Sequence, residues 1–321
     1  KRKRKKKIQM LSNLQEIKNA YEERDLVALD ALAIPTYRVI NKREDFRSAL
    51  MLSCNKIEHI AKIEIIDADC IILNLEDGVS KEDKPFALVL CAIFLSHHKR
   101  CDKKLVVRVN ALDEGGYEEI TYLNQFMPDA IRVPKIQNAI EVKSVYELLN
   151  KDTGLHLSIE TSGAWKNLSS LKIDKKITTF YLGILDLFAD MKLPQSLINV
   201  DNPTVLYILS HFLVTCKSIG VKPVSFVYQE FKNLDMFEKW ISLEKAIGYD
   251  AKGCISPTQA KLVNEKFADE AREIKRAKNI IKLFELNKEL GVTGFEDEEF
   301  GFVDEPVYKG ALVLLERNMS K

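Results

Sequence analysis

Two acids in this sequence stand where a metal could be held. Glu160 closes the apolar run LHLSIE, and Asp186 follows the next apolar run, in YLGILD. If both runs are neighbouring strands of one parallel sheet, the two carboxylates meet at its edge. Carboxylates brought together repel unless a cation lies between them. Hard oxygen ligands with room for water suit Mg²⁺, which commonly takes one or two carboxylates and fills its shell with water and substrate. The same acids could instead cap helices or pair with lysines. Further charged residues collect at the ends of other runs. Arg108 ends LVVR, and its guanidinium fork could clamp a substrate carboxylate or pair with Glu76 or Glu160. Glu76 and Asp77 close CIILNLED, and Lys135 follows AIRVP as a point charge. Arg47 opens the first run, which places it at the opposite end unless that strand is short. His97 and His98 end a helix pattern, and His211 lies inside an apolar one; neither has metal-ligand spacing.

The elements that must position these residues are short apolar runs alternating with helical patterns. The runs are 47–53, 70–76, 105–110, 130–135, 155–161, 179–184, 221–228 and 252–256, each the length of a buried parallel strand with little polar alternation. Helical periods fill the intervals, among them 83–97, 139–149, 203–218 and 234–247; Gly220 and Gly248 stand where helices close. Eight strands separated by helices is the number that closes a barrel, so the expected fold is α/β, a (β/α)₈ TIM barrel over 47–290. An open doubly wound sheet is disfavoured because no G-x-G-x-x-G follows any strand. Catalytic residues of such barrels come from the C-terminal strand ends, where the acids and bases above collect. Residues 8–46 read as a helical extension, with a turn near Pro35. Residues 291–321 read as a small cap: an acidic, Gly-rich aromatic stretch and a last helix over 307–317.

Composition narrows the function classes. Lys and Arg number 48 against 47 Asp and Glu, so no global field favours nucleic acid or an acidic surface. Residues 1–7, KRKRKKK, could meet nucleic acid or an anionic membrane, but like-charge blocks at a terminus are usually solvated. Nucleic acid is therefore not an expected partner. No apolar stretch follows the basic run as in a secretory signal, and none is long enough to span a membrane. The six cysteines are scattered without a C-x-x-C pair, as in a reduced cytoplasmic protein.

The segments RSALMLS, NLEDGVSKEDKPFA, VVRVN, RVPK, IET, GILDL, GCISPTQ and GFVDEP occur in an order and spacing that resembles the citrate lyase β-chain group of the HpcH/HpaI aldolase superfamily. The resemblance runs from about Arg47 to Arg317. It implies a TIM barrel, commonly trimeric or hexameric, that cleaves or forms C–C bonds in citryl-, malyl- or citramalyl-CoA. It implies Mg²⁺ ligands at Glu160 and Asp186 and a substrate-carboxylate arginine at Arg108. It places Glu76 and Asp77 near the metal's waters, Arg47 at the site, and Asp304 as an aspartate delivered by the cap, often from a neighbouring subunit. CoA enters as a thioester substrate rather than a prosthetic group. The expected assembly is a homotrimer or other homo-oligomer with the C-terminal segment at the subunit interface. The chain departs from the family at Asn74 (usually Asp), at Ser53-Cys54-Asn55 (usually a Pro-Gly turn), at Leu88 (usually Arg) and at Ser256 (usually His before Pro). A Mg²⁺-dependent lyase is thus expected. An acyl-CoA thioesterase or synthase on the same scaffold, and a non-catalytic barrel subunit of a complex, are the alternatives.

Overall fold

The structure, a computed structural model, describes residues 13–268 and 271–319; the basic run 1–7 lies outside the described residues. Eight parallel strands form one sheet: β1 (Ser48–Ser53), β2 (Cys70–Asn74), β3 (Lys104–Arg108), β4 (Ala130–Val133), β5 (Gly154–Ile159), β6 (Ile177–Leu182), β7 (Lys222–Val224) and β8 (Lys252–Cys254). Their spatial order is β7-β6-β5-β4-β3-β2-β1-β8. The ring closes at Ser225, whose N–H donates to Ala251 O at 3.0 Å and whose carbonyl accepts from Gly253 N at 2.9 Å. The fold is the expected (β/α)₈ barrel. Each expected run overlaps its strand, with β3, β5 and β6 beginning one or two residues before theirs; β2, β4 and β5 end before Glu76, Lys135 and Glu160, while Arg108 is the last residue of β3.

Alternation along the strands sorts side chains into two cores. Leu50, Ile71, Leu73, Leu105 and Val107 face the surrounding helices and join the large outer core. Ala49, Cys70, Ile72, Val106, Ala130 and Tyr181 form a smaller cluster inside the barrel. The expected helices occur at Lys84–His97, Ala139–Leu148, Pro203–Ser218 and Leu234–Ile247. The last two of these are capped at their N-termini by Asn202 and Asn233, whose side chains accept from the first-turn N–H groups.

The N-terminal extension is helical only at Leu14–Glu22 and Leu26–Ala31. From residue 33 to 46 it is extended, because distant partners rather than its own backbone satisfy its polar groups. Arg38 is buried, donating to His98 O at 2.8 Å and lying 3.6 Å from Asp129. Glu44 reaches the N-terminal end of the barrel, where it accepts from Lys104 Nζ at 2.5 Å and from Thr178 and Thr179 Oγ1, both at 2.9 Å; His156 Nε2 stands 3.6 Å away.

This plug ties stability to acid pH. Burial alone would raise the Glu44 carboxyl, but His156 and Lys104 together hold it down at about 2, against 4.5 for an ordinary glutamate. A depressed carboxyl contributes stability that is full above the unfolded value and is lost as pH falls through the folded one. Urea titrations of wild type and Glu44→Gln should differ by about 2 kcal/mol at neutral pH. The difference should shrink between pH 4.5 and about 2. A gap constant across that range would show that the Glu44 charge is not what stabilises the plug.

The chain divides into two compact units, one ending at Phe267 and one running from Ala268. The barrel segment therefore stops short of the expected residue 290. The helix Ala271–Glu289 belongs to the second unit because its apolar positions Ala277, Ile280 and Phe284 pack with Val303 and Ala311. That unit also holds the antiparallel pair β9 (Gly294–Asp297) and β10 (Gly301–Asp304), and a final helix, Glu305–Met319.

Candidate active site

The inward parity of each strand, continued past its C-terminal end, delivers polar side chains to one place. Ile72 points inward, so Asn74 does too; the same step leads from Val106 to Arg108 and from Ala130 to Arg132. From His156 it leads through Ser158 to Glu160. These residues line or border a cavity of about 510 Å³ at the C-terminal mouth of the barrel, together with Asp77, Asp186, Lys56 and His59.

Glu160 is buried, 2% exposed, and is held on two sides. Its Oε1 accepts from the backbone N–H of Lys135 at 2.9 Å. Lys135 has φ of 54°, left-handed backbone unusual for a non-glycine, which turns that N–H toward the carboxylate. On the other side lies Gly183, where a Cβ would stand 2.6 Å from both Glu160 Cβ and Oε2. Only glycine leaves room for this carboxylate. Asp186 sits in the first turn of the helix Ile184–Asp190 and faces the same cavity. Desolvation raises its carboxyl above the usual aspartate range, and the nearby charges of Glu160 and Asp77 add to the rise.

Arg108 gathers the acids. Its Nη2 is 2.6 Å from Glu76 Oε2, 3.5 Å from Asp77 Oδ2 and 3.9 Å from Glu160 Oε1. Burial pushes the Glu76 carboxyl up to about 7, against the pull of Arg108. Lys135 Nζ lies 3.6 Å from Glu76 Oε1. Three buried polar atoms here have no hydrogen-bond partner: Asn74 Oδ1, Glu76 Oε1 and Arg108 Nε. Such atoms are costly unless something satisfies them, so their collection in one cavity marks a place built for a polar ligand.

The donor set fits a hard cation. Glu160 and Asp186 are neighbouring carboxylates, one buried and the other raised by desolvation and then by its neighbour's charge, and a bound cation would relieve both costs. Among the described residues no group of three or more His, Cys, Asp or Glu could hold a metal ion. Two protein carboxylates with water and ligand completing the shell is how Mg²⁺ is often held.

Of the eight candidate residues, the structure brings six together at the active end: Glu76, Asp77, Arg108, Lys135, Glu160 and Asp186. Arg47 does not join them. It precedes Ser48, the first residue of β1, at the opposite end of the barrel, with its Nε 3.2 Å from Asp69 and its Nη1 donating to Asn264 O at 3.0 Å. A substrate-binding role for Arg47 is therefore corrected to a structural one. Asp304 ends β10, where its Oδ1 accepts from Val307 N at 3.1 Å and caps the last helix.

Two features went unrecognised in the sequence. Arg132 lies inside the run AIRV, where a lone charge marks an inward position next to Arg108. Gly183 is the small residue that admits Glu160. The departures from the family pattern also have local roles. Asn74 Nδ2 donates to Asp77 O at 2.5 Å, which a carboxylate could not do. Asn55 donates to Asp83 at 3.1 Å, Ser256 caps the helix Pro257–Lys266, and Leu88 packs against the outer core.

A family model described as HpcH/HpaI aldolase/citrate lyase matches residues 47–257. A (3S)-malyl-CoA thioesterase of Cereibacter sphaeroides is 28% identical over 241 residues, which cover 75% of this chain and 83% of that one. The citrate lyase subunit beta of Haemophilus influenzae is 25% identical over 286 residues, covering 85% and 97%. Among solved structures, protein CitE from Mycobacterium tuberculosis in complex with magnesium, acetoacetate and coenzyme A superposes with a TM-score of 0.67 at 21% identity, over 84% of this chain and 97% of that one.

Proposed function

The chain belongs to the HpcH/HpaI aldolase/citrate lyase family, and we propose that it is a Mg²⁺-dependent carbon–carbon lyase cleaving a 3-hydroxyacyl-CoA of the citryl-, malyl- or citramalyl-CoA type into an oxo-acid and an acyl-CoA. The observation that carries this reading is the Glu160–Asp186 pair set beside a buried arginine whose Nε has no partner. Lyases of this family supply the precedent, citrate lyase subunit beta among them.

When bound between Glu160 and Asp186, Mg²⁺ supplies Lewis acidity to the oxygens of the oxo-acid. The protein does the rest. Arg108 holds the oxo-acid carboxylate and offsets the charge that develops during cleavage. Glu76 keeps that arginine in place, and its carboxyl near 7 lets it hold a proton or release one around neutral pH. In the reaction the hydroxyl loses its proton and the bond to the carbon beside the thioester breaks. The electron pair passes into the thioester enolate, and the enolate carbon takes up a proton. We assign both ends of that transfer to Asp304, whose carboxylate takes the hydroxyl proton and returns it to the enolate carbon; it would be delivered from the C-terminal segment of a neighbouring subunit in a homo-oligomer, where it would also exclude water. The reading places the protein in the cytoplasm. Among the described residues no helix is long and apolar enough to cross a membrane.

A thioesterase reaction is the second reading, favoured by the similarity to (3S)-malyl-CoA thioesterase. It would break the C–S bond with water instead of the C–C bond. Both are tested by incubating the full chain and MgCl₂ with citryl-, malyl- and citramalyl-CoA, measuring oxaloacetate, glyoxylate, pyruvate and free thiol. Oxo-acid released without thiol is the expected result. Thiol released without oxo-acid would establish the second reading, and no turnover of any thioester would overturn both.

A further inference from the structure

Arg132 is the cation that the acidic cluster leaves unclaimed. It takes the inward position of β4 directly in register with Arg108 on β3, so the two guanidiniums stem from adjacent strands at one level of the barrel. Arg132 is 5% exposed. Its Nε donates to Ser158 Oγ at 2.8 Å, and its guanidinium carbon lies 4.1 Å over the ring of Tyr181. Among the described residues no carboxylate oxygen comes within 4.0 Å of it. Arg108 has three acids within that distance. Burial, and then the neighbouring Arg108, lower the Arg132 guanidinium to about 10, which leaves it charged at neutral pH.

A buried charge with no carboxylate in contact is expensive, and two arginines side by side add repulsion that Glu160 and Glu76 offset only from beyond ion-pair distance. Ser158 and the tyrosine ring hold the Arg132 side chain in place, but neither neutralises it. The guanidinium borders the same cavity as Arg108, Glu160 and Asp186. The missing anion is therefore expected to arrive with the ligand. A CoA phosphate suits it less well, because Arg132 is an inward strand side chain only 5% exposed, inside the barrel and not on its rim. A small carboxylate fits.

We propose that Arg132 binds a second carboxylate of the oxo-acid and so determines specificity. The favoured product is then a 2-oxo-dicarboxylate, and the favoured substrate a 3-hydroxyacyl-CoA carrying a carboxylate on each arm of the departing fragment. This rests on the oxo-acid reading of the site. Arg108 and the metal end take the carboxylate beside the keto group, and Arg132 takes the distal one. A monocarboxylate leaves Arg132 unpaired and keeps the cost that a dicarboxylate removes.

The test compares oxaloacetate with 2-oxobutyrate, which differ in a terminal carboxylate against a methyl group, by calorimetry on the full chain with MgCl₂. Wild type should bind oxaloacetate at least about tenfold more tightly, as a charge-assisted bidentate contact implies. Arg132→Met should bring oxaloacetate to the affinity of 2-oxobutyrate and leave 2-oxobutyrate unchanged. Arg132→Lys, which keeps the charge without the fork, should retain part of the preference and serves if the methionine variant does not fold. Equal binding of the two acids by wild type would overturn the proposal, as would a folded Arg132→Met or Arg132→Lys variant with the full preference. If Mg²⁺ binds but neither oxo-acid does, the oxo-acid reading itself fails and takes this inference with it.

Discussion

Glu160→Gln is expected to abolish Mg²⁺ binding and to lower kcat/KM by about a thousandfold or more, the loss typical of removing an electrostatic element made for the transition state. The substitution removes one of the two carboxylates proposed to hold the ion and changes little else. The amide oxygen can still accept from the Lys135 N–H that now meets Oε1 at 2.9 Å, so the loop should hold its shape. The lost charge is what matters, because Mg²⁺ is a hard cation that gives up its waters reluctantly for a neutral ligand. Gly183→Ala should produce a milder form of the same defect by sterics alone. Its new Cβ would fall 2.6 Å from Glu160 Cβ and Oε2, so the carboxylate must move. Calorimetric titration with Mg²⁺ and Mn²⁺ measures both variants. Binding by Glu160→Gln as tight as wild type would remove Glu160 from the metal site, whatever the effect on turnover.

The parts of this site that can be found in the sequence are those that end an apolar run. Glu160, Arg108 and Glu76 stand out because a parallel strand buried on both faces is apolar almost throughout, so the first charge after it marks the rim. Arg132 is harder to see. It stands within its run, and only the pairing of β3 with β4 shows that it shares a level with Arg108. Arg47 teaches the converse. Family likeness drew it to the active end, yet its place before the first strand residue puts it on the other end, since all eight strands run parallel. The extended segment 33–46 was hidden for a different reason. Its order depends on partners far along the chain, such as Met127 O and Asp129 for Arg38, and no local period records them. The division at Phe267 was equally hidden, because an amphipathic helix shows that it has an apolar face but not which core receives it.

Lys252→Met should cost about 3–5 kcal/mol of stability, the usual effect of leaving a buried charge without its partner. Lys252 and Glu244 are both fully buried, with Nζ 2.6 Å from Glu244 Oε1. Lys252 also donates to Phe226 O at 2.9 Å, and Ser225 Oγ donates to Glu244 at 2.5 Å. Ser225 is the residue that closes β7 onto β8, so this group of side chains pins the barrel where its strands are shortest. Glu244 is already raised by burial, with Lys252 and Ser225 pulling it down. Without the lysine it should rise further and take up a proton on folding. A raised carboxyl favours the folded state at low pH, so the deficit of Lys252→Met should narrow as pH falls toward the 4.5 of an unfolded glutamate. The double variant Lys252→Met/Glu244→Leu should recover most of the loss, because a buried pair contributes little net stability once both charges are gone. Urea unfolding of the three proteins between pH 5 and 8 decides the matter. A single variant no less stable than the double would show that the cost lies in lost packing around the lysine stem and not in the orphaned carboxylate.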